Sequence, residues 1–544
     1  MSERITEWRA TLLIGVAIVA LAVFLRVYSL TSLPVFADEA IYVRWAQVMK
    51  NEPTLRFLPL SDGKQPLFMW SIVPFLSFFD NPLVAGRAVS ALTGISSLVG
   101  VFLLTHLLFR SKKVSLISSL VYAVAPFAVF FDRMALVDSM LTMFGIWTFI
   151  FALIAATRVR VDAAIFAGFS LGGALLTKSP ALFYVLLLPL VGVFSKFPKF
   201  KNERVVHLLK LSGLLFLAWG IGFAMLNVLR LGPNFHLITS RNQDYVFPIN
   251  HLWQNPKDPF IFHFDRALEW IKILGTPLVV VLVLTGIAAG LKKYKKEVFF
   301  LLAWALGPIM VQAEFAKVFT ARYILFSIPA LYVLAGVSFL VLSVYFKGQK
   351  YAKHFYALIL ASFVALSLWF NWKLITEPER SPLPRGERSG YLEEWTAGTG
   401  IPEVAGFIIR EHEKDPAVPI VVGTEGFFGT LPDGLQIYLE KVPDVTVIGV
   451  GLGIKKIPDQ LLESREAGNK TYLAANSSRL AFPGFDECKK DGSSRIENPN
   501  CQRKILADNG FKIVLEVEKA MRPYGFKEFV QHGPRDTFYL LEVR

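Results

Sequence analysis

Residues 11–30 read TLLIGVAIVALAVFLRVYSL, an apolar run interrupted by a single charge, Arg26, near its end. About 20 such residues cross the hydrocarbon core of a bilayer as a helix. The run has a basic flank, Arg4 and Arg9, and no small-x-small cleavage site. It therefore reads as a retained span and not as a cleaved signal.

Ten further runs follow the same logic: 83–109, 114–131, 138–157, 162–177, 180–196, 208–229, 272–291, 298–315, 322–346 and 354–373. Together they predict an α-helical polytopic membrane protein with about eleven transmembrane helices. Composition agrees, with 53% hydrophobic and only 18% charged residues over 544 positions, too apolar for a soluble protein of this size. The net charge of +14 does not point to nucleic acid, because the basic residues cluster in short loops between apolar runs.

Those loops set an orientation. Arg110, Lys112 and Lys113; Arg158 and Arg160; Lys196, Lys199, Lys201 and Arg204; Lys292 to Lys296; and Lys347, Lys350 and Lys353 fall on every second loop. Such loops face the cytoplasm. The N-terminus is then cytoplasmic, and eleven spans leave the tail outside, in a multi-pass protein of the plasma (cytoplasmic) membrane.

The outer face receives a first loop, 31–82, and a second large loop, 230–271. Within the first, 39–50 reads as an amphipathic helix with Ile41, Trp45, Val48 and Met49 on one side, suited to lie along the membrane interface. The second is rich in aromatics and histidine, including His236, His251 and His263. It reads either as a further interfacial element or as an aromatic belt.

Beyond the membrane domain, 1–375, a Pro/Arg/Glu/Gly-rich linker at 376–390 leads to a tail of soluble character, 391–544. There, β-like runs (420–423, 445–450, 471–475, 512–517, 537–543) alternate with helical ones (403–413, 435–442), which predicts a small extracytoplasmic α/β domain. Cys488 and Cys501 lack metal-site spacing and are free to pair outside the cytoplasm. The sequons at Asn469 and Asn476 carry meaning only in a host that glycosylates them.

One polar stretch stands out beyond the first span, from Asp38-Glu39-Ala40-Ile41-Tyr42 to Asp62-Gly63-Lys64-Gln65-Pro66-Leu67. Ionisable groups near membrane depth are costly to desolvate and mark functional sites. Asp38 equally suits a helix N-cap.

With Phe24-Leu25-Arg26-Val27-Tyr28, Arg133-Met134-Ala135-Leu136-Val137-Asp138, Leu176-Thr177-Lys178-Ser179-Pro180 and Arg322-Tyr323 to Pro329, this stretch resembles the GT-C superfamily of membrane glycosyltransferases. The nearest branch is that of the protein O-mannosyltransferases and lipid A aminoarabinose transferases. The resemblance covers residues 11 to about 373 and departs at Gln65-Pro66, where the family often has Pro-Pro.

The resemblance implies transfer of a sugar from a polyprenyl-phosphate donor to an acceptor hydroxyl of a protein, lipid or envelope glycan, on the extracytoplasmic face and with inversion. A phosphate leaves as a stable anion, so one carboxylate suffices as base, unlike the paired acids of glycoside hydrolases. Asp38 is the expected base and Glu39 the fallback. Lys64, Arg133, Lys178 and Arg322 are the expected donor-phosphate ligands, with snorkelling at helix ends as the alternative. Tyr42, Asp138 and Tyr323 are expected to orient substrate. No tight His/Asp/Glu set stands out as a metal site, and a divalent cation stays open.

Two readings of other classes compete. A flippase for lipid-linked precursors predicts broken helices paired in two halves with charges at mid-membrane depth, whereas the charges here lie at span boundaries. A non-enzymatic anchor needs far fewer spans.

Overall fold

The computed structural model describes residues 2–485, 488 and 499–544. Seven of its helices are long and apolar enough to cross a membrane: Arg9–Val27, Pro82–Phe109, Val137–Arg158, Lys201–Leu231, Lys295–Phe315, Ala321–Val344 and Ala352–Thr376. Two bent pairs join them, Lys112–Val124 with Pro126–Asp132 (56°) and Phe260–Leu274 with Pro277–Lys293 (104°). Val161–Thr177 and Ser179–Phe194 are shorter apolar helices. Every predicted run falls on one of these elements, but eleven full crossings are not confirmed.

The first bend has a clear cause. Pro126 lacks an N–H, so the helix cannot continue unbroken and nearby carbonyls lose their donors. Inside a bilayer such carbonyls must be satisfied by protein. Arg26 donates to Ala123 O at 3.0 Å and Tyr122 O at 3.4 Å, and Asn371 donates to Val124 O at 2.7 Å. The buried Arg26 charge is met by Asp132 at 2.9 Å, which also accepts from Ser139 at 2.6 Å.

The tail folds as a five-stranded sheet flanked by helices. With β1 (Val35–Phe36) and β2 (Ala397–Gly398) forming a separate antiparallel pair, the strands are β3 (Ile420–Glu425), β4 (Val445–Gly451), β5 (Lys470–Asn476), β6 (Phe511–Glu518) and β7 (Thr537–Val543), ordered β4-β3-β5-β7-β6. Both β4 and β5 run parallel to β3, and β7 is antiparallel to its neighbours. Alternate residues of β5 serve two cores. Tyr472 and Ala474 join the cluster of Val404 and Ile408 from helix Ile401–Lys414, while Leu473 and Ala475 pack with Leu461 and Leu506. Cys488 and Cys501 form a disulfide.

One expectation about the junction is corrected. The amphipathic helix, Ala37–Asn51, does bury Ile41, Trp45 and Met49, but against protein and not against lipid. It packs on helices Leu67–Phe75 and Asp433–Leu439, with Gln47 donating to Ile437 O at 2.9 Å and Arg44 paired to Glu440 at 2.9 Å. Amphipathic spacing shows that a face is covered, not by what. The segment 376–390 is packed in part: Leu383 and Glu387 are buried, and Glu387 accepts the Ala321 N–H at 3.0 Å. Tyr391, just beyond, stacks on Phe36 at 4.3 Å. The second large loop holds helices Leu237–Tyr245 and His251–Gln254 before Phe260–Leu274.

Candidate active site

The approach to Asp38 is fixed by two buried arginines. A helix leaves its last carbonyls without intrahelical donors, and Arg133 supplies them past the first span, reaching Leu25 O at 2.9 Å, Tyr28 O at 2.8 Å and Ser29 O at 2.7 Å. Arg87 holds Leu30 O, Leu33 O and Pro34 O at 2.5, 2.9 and 2.8 Å. It also grips both oxygens of Glu39, at 2.8 and 2.7 Å. Glu39 in turn accepts the N–H groups of Phe36 at 3.0 Å and Ala135 at 2.6 Å.

Glu39, one residue on, therefore caps its own helix. Asp38 is released from that role and faces two cations, Lys64 at 3.1 Å and Arg322 at 2.5 Å. Lys64 comes from the turn at Gly63, whose φ of +62° favours glycine and where a Cβ would meet Leu237 O at 2.5 Å. Helix Leu237–Tyr245 can thus lie directly on the turn, bringing Arg241 to Asp62, and Asp62 also holds Lys64 at 3.4 Å. Lys178, at the end of helix Val161–Thr177, pairs with Asp138 at 2.6 Å.

Aromatic rings back each cation. Lys64 lies 4.9 Å from the Tyr42 ring and 5.5 Å from Trp45. Lys178 stands 4.2 Å from Tyr323, and Arg322 is 5.3 Å from Phe36 and 5.4 Å from Tyr323.

These groups line one cavity of about 780 Å³. Its wall carries five cations, Lys64, Lys178, Arg241, Lys317 and Arg322, against one carboxylate, Asp38, an arrangement made for an anion. Burial raises the Asp38 carboxyl, and Lys64 and Arg322 more than offset it, holding the group well below the usual carboxylate range. Burial draws the Lys178 ammonium down, with Asp138 opposing. Among the described residues, no three His, Cys, Asp or Glu side chains gather as a metal-ligand set.

Comparison with known proteins fits this geometry. Residues 63–221 match the family model described as dolichyl-phosphate-mannose-protein mannosyltransferase. ArnT from Cupriavidus metallidurans in the apo state superposes with a TM-score of 0.56 at 16% identity, covering 99% of this chain and 98% of that one. Residues 63–221 are thus similar to a glycosyltransferase family, and the whole chain shares the fold of ArnT. The same ArnT bound to undecaprenyl phosphate gives a TM-score of 0.55 at 16% identity, covering 97% of each chain; at that identity the likeness speaks for the fold. No curated protein sequence matches this chain.

Of the residues singled out in the sequence, the fold brings Asp38, Tyr42, Lys64, Lys178, Arg322 and Tyr323 to the cavity wall. Asp138 stands behind it, paired with Lys178, and its second carboxylate oxygen has no hydrogen-bond partner among the described residues. Arg133 and Glu39 are not in the wall. The first is taken up by three carbonyls and the second by Arg87, so both expectations give way to scaffolding roles. Sequence reading passed over Arg241, Lys317 and the bond from Gln65 to Ser179 (2.9 Å). Asp62, two positions before Lys64, was legible as its neighbour; Arg241 arrives only through helix docking and carries no local signal.

Proposed function

We propose that this chain is a glycosyltransferase that moves a sugar, with inversion, from a polyprenyl-phosphate donor to an acceptor hydroxyl on the extracytoplasmic face of the membrane. The observation that carries the reading is one cavity in which Asp38 meets Lys64, Arg322 and Lys178 beside an apolar wall. A relative of the same fold crystallised with undecaprenyl phosphate supports the donor class.

Asp38 takes the proton of the acceptor hydroxyl, whose oxygen attacks the anomeric carbon from the side opposite the phosphate. The bond from that carbon to the phosphate oxygen breaks, its electron pair stays on the phosphate, and polyprenyl phosphate departs. Fixed cations in a water-poor cleft stabilise the charge as it develops. Lys64, Lys178 and Arg322 do this, with Tyr42 and Tyr323 holding them in place.

Without donor, Lys64 and Arg322 both neutralise Asp38, so the carboxylate is a weak base. An arriving donor phosphate competes for the same cations and restores its basicity, which couples proton removal to donor binding. Leu182 and Leu186 line the cavity and are also exposed on the outside of the helical domain. They mark a lateral path for the prenyl chain.

The basic loops support a reading with the N-terminus in the cytoplasm and the α/β domain outside, in the plasma membrane. The Cys488–Cys501 disulfide supports that side. The test supplies purified protein with radiolabelled polyprenyl-phosphate sugars and a membrane extract as acceptor source. Label leaving the lipid with wild type and not with Asp38→Asn supports the reading and identifies the acceptor fraction. No transfer from any polyprenyl-phosphate donor overturns it.

A further inference from the structure

The loop joining β6 to β7 presents an apolar face that catalysis does not use. Met521, Tyr524, Phe526 and Val530 are 55%, 69%, 46% and 69% exposed. Four such residues so close together form a patch that marks an interaction surface. The root of the loop is firm. Buried Arg522 bonds Glu394 at 3.0 Å and the carbonyls of His532 and Gly533, each at 3.2 Å. Lys519 bonds Glu394 O at 3.0 Å and Ala397 O at 2.8 Å.

Where the loop is tied decides what covers it. Helix Ala352–Thr376 is the last candidate span, and Glu379 lies just beyond its end. One guanidinium, that of Arg388, donates both to Glu379 O and to Met521 O, the latter at 3.3 Å. The Ala520 N–H bonds Leu392 O at 3.3 Å, and Arg385 sits 5.3 Å from the Phe526 ring. Three residues of chain reach at most about 10 Å and the Arg388 bridge adds somewhat less, so Met521 lies within roughly 20 Å of the point where the span ends. Lys527 within the loop is exposed, as is Arg380, the residue after Glu379. Aromatic and apolar residues with basic neighbours at that height are the composition of a headgroup-layer element.

We propose that loop 519–536 docks the α/β domain on an anionic bilayer surface. Tyr524, Phe526 and Val530 enter the headgroup layer, while Lys527 and Arg380 face lipid phosphates. The carboxyl edge of the parallel strands is thereby held toward the membrane, on the side where β2 joins the catalytic loop.

The test uses the full-length protein in nanodiscs of phosphatidylethanolamine and phosphatidylglycerol. Nitroxide labels are placed at Tyr524→Cys, Val530→Cys and, as a control on the opposite edge of the domain, Lys414→Cys. Relaxation by lipid-soluble oxygen is compared with relaxation by an aqueous nickel chelate. The expected result is an oxygen-to-nickel ratio several-fold higher at 524 and 530 than at 414. Equal ratios at all three positions overturn the proposal. So does dipolar broadening between labels on different copies, which would show a second copy covering the patch. Should either loop variant misfold, the same readout at Lys527→Cys decides, with nickel access equal to that at 414 again overturning the proposal.

Discussion

Asp38 and Glu39 are adjacent in the first turn of one helix, yet Asp38 lines the cavity while Glu39 is fully buried in the grip of Arg87. Their substitutions should therefore fail in different ways. Asp38→Asn is expected to keep the fold and lose about 10²–10⁴-fold in kcat, the usual contribution of a positioned base. Glu39→Gln leaves Arg87 without its buried counter-charge and should cost about 3–5 kcal/mol of stability. Thermal unfolding in detergent, measured beside turnover, separates the two. A folded Glu39→Gln protein with normal stability contradicts the assignment.

Lys64 and Arg133 divide along the same line. Lys64→Ala should lower kcat/KM for the donor by about 10²-fold or more, because a cation aimed at the developing phosphate charge is lost. Arg133→Ala strands three carbonyls and should cut the yield of folded protein, at about 1–3 kcal/mol for each unsatisfied group. If Arg133→Ala folds normally and only donor affinity falls, Arg133 belongs at the phosphate.

The pH dependence should show the guarding of Asp38. In the free enzyme the carboxyl is depressed below its usual range, so it stays ionised in acid, and kcat/KM should stay level as pH falls through the ordinary carboxylate range. With donor bound, the cations turn to the phosphate and the carboxyl pKa rises. The acid limb of kcat should then lie at higher pH than that of kcat/KM, since the two profiles report bound and free enzyme. Coincident limbs would show that donor binding leaves the ion pairs unchanged.

In the α/β domain, burial pushes Glu425 up to about 7, against hydrogen bonds from the Asn476 side chain and backbone. The folded state thus holds this proton more tightly than the unfolded state does. Its stabilising effect is complete below the ordinary glutamate range and is lost as pH rises toward 7. Glu425→Gln should match wild type near pH 4 and be more stable at pH 8, by at most about 3 kcal/mol. Hydrogen exchange of β3 and β5 at the two pH values reads the difference.

Local chemistry made much of this legible. The period-2 runs of the tail became strands because each β5 face has its own core, and Lys64, Lys178 and Arg322 stood out as charges at span ends. The sequence was silent where a role depends on a distant partner. Arg133 and Lys178 look alike as cations beside apolar runs, and only the position of the first span's last carbonyls turns one of them inward. The Pro/Arg/Glu/Gly composition of 376–390 marked a linker, but Glu387 reveals nothing of the Ala321 N–H it accepts. Helix Ala37–Asn51 declared its covered face but not the helix that covers it.

The β1–β2 pair joins Val35 to Gly398 and Phe36 to Ala397, and the Ala37 N–H bonds Thr396 O at 3.1 Å. The strand beside Asp38 is thus completed by residues translated long after it. At roughly 5–20 residues per second, the early segment waits tens of seconds for its partner to emerge. A nascent or prematurely terminated chain that stops within the membrane domain holds Asp38 without this brace. The whole membrane domain must therefore be translated before the segment that leads to Asp38 gains its brace.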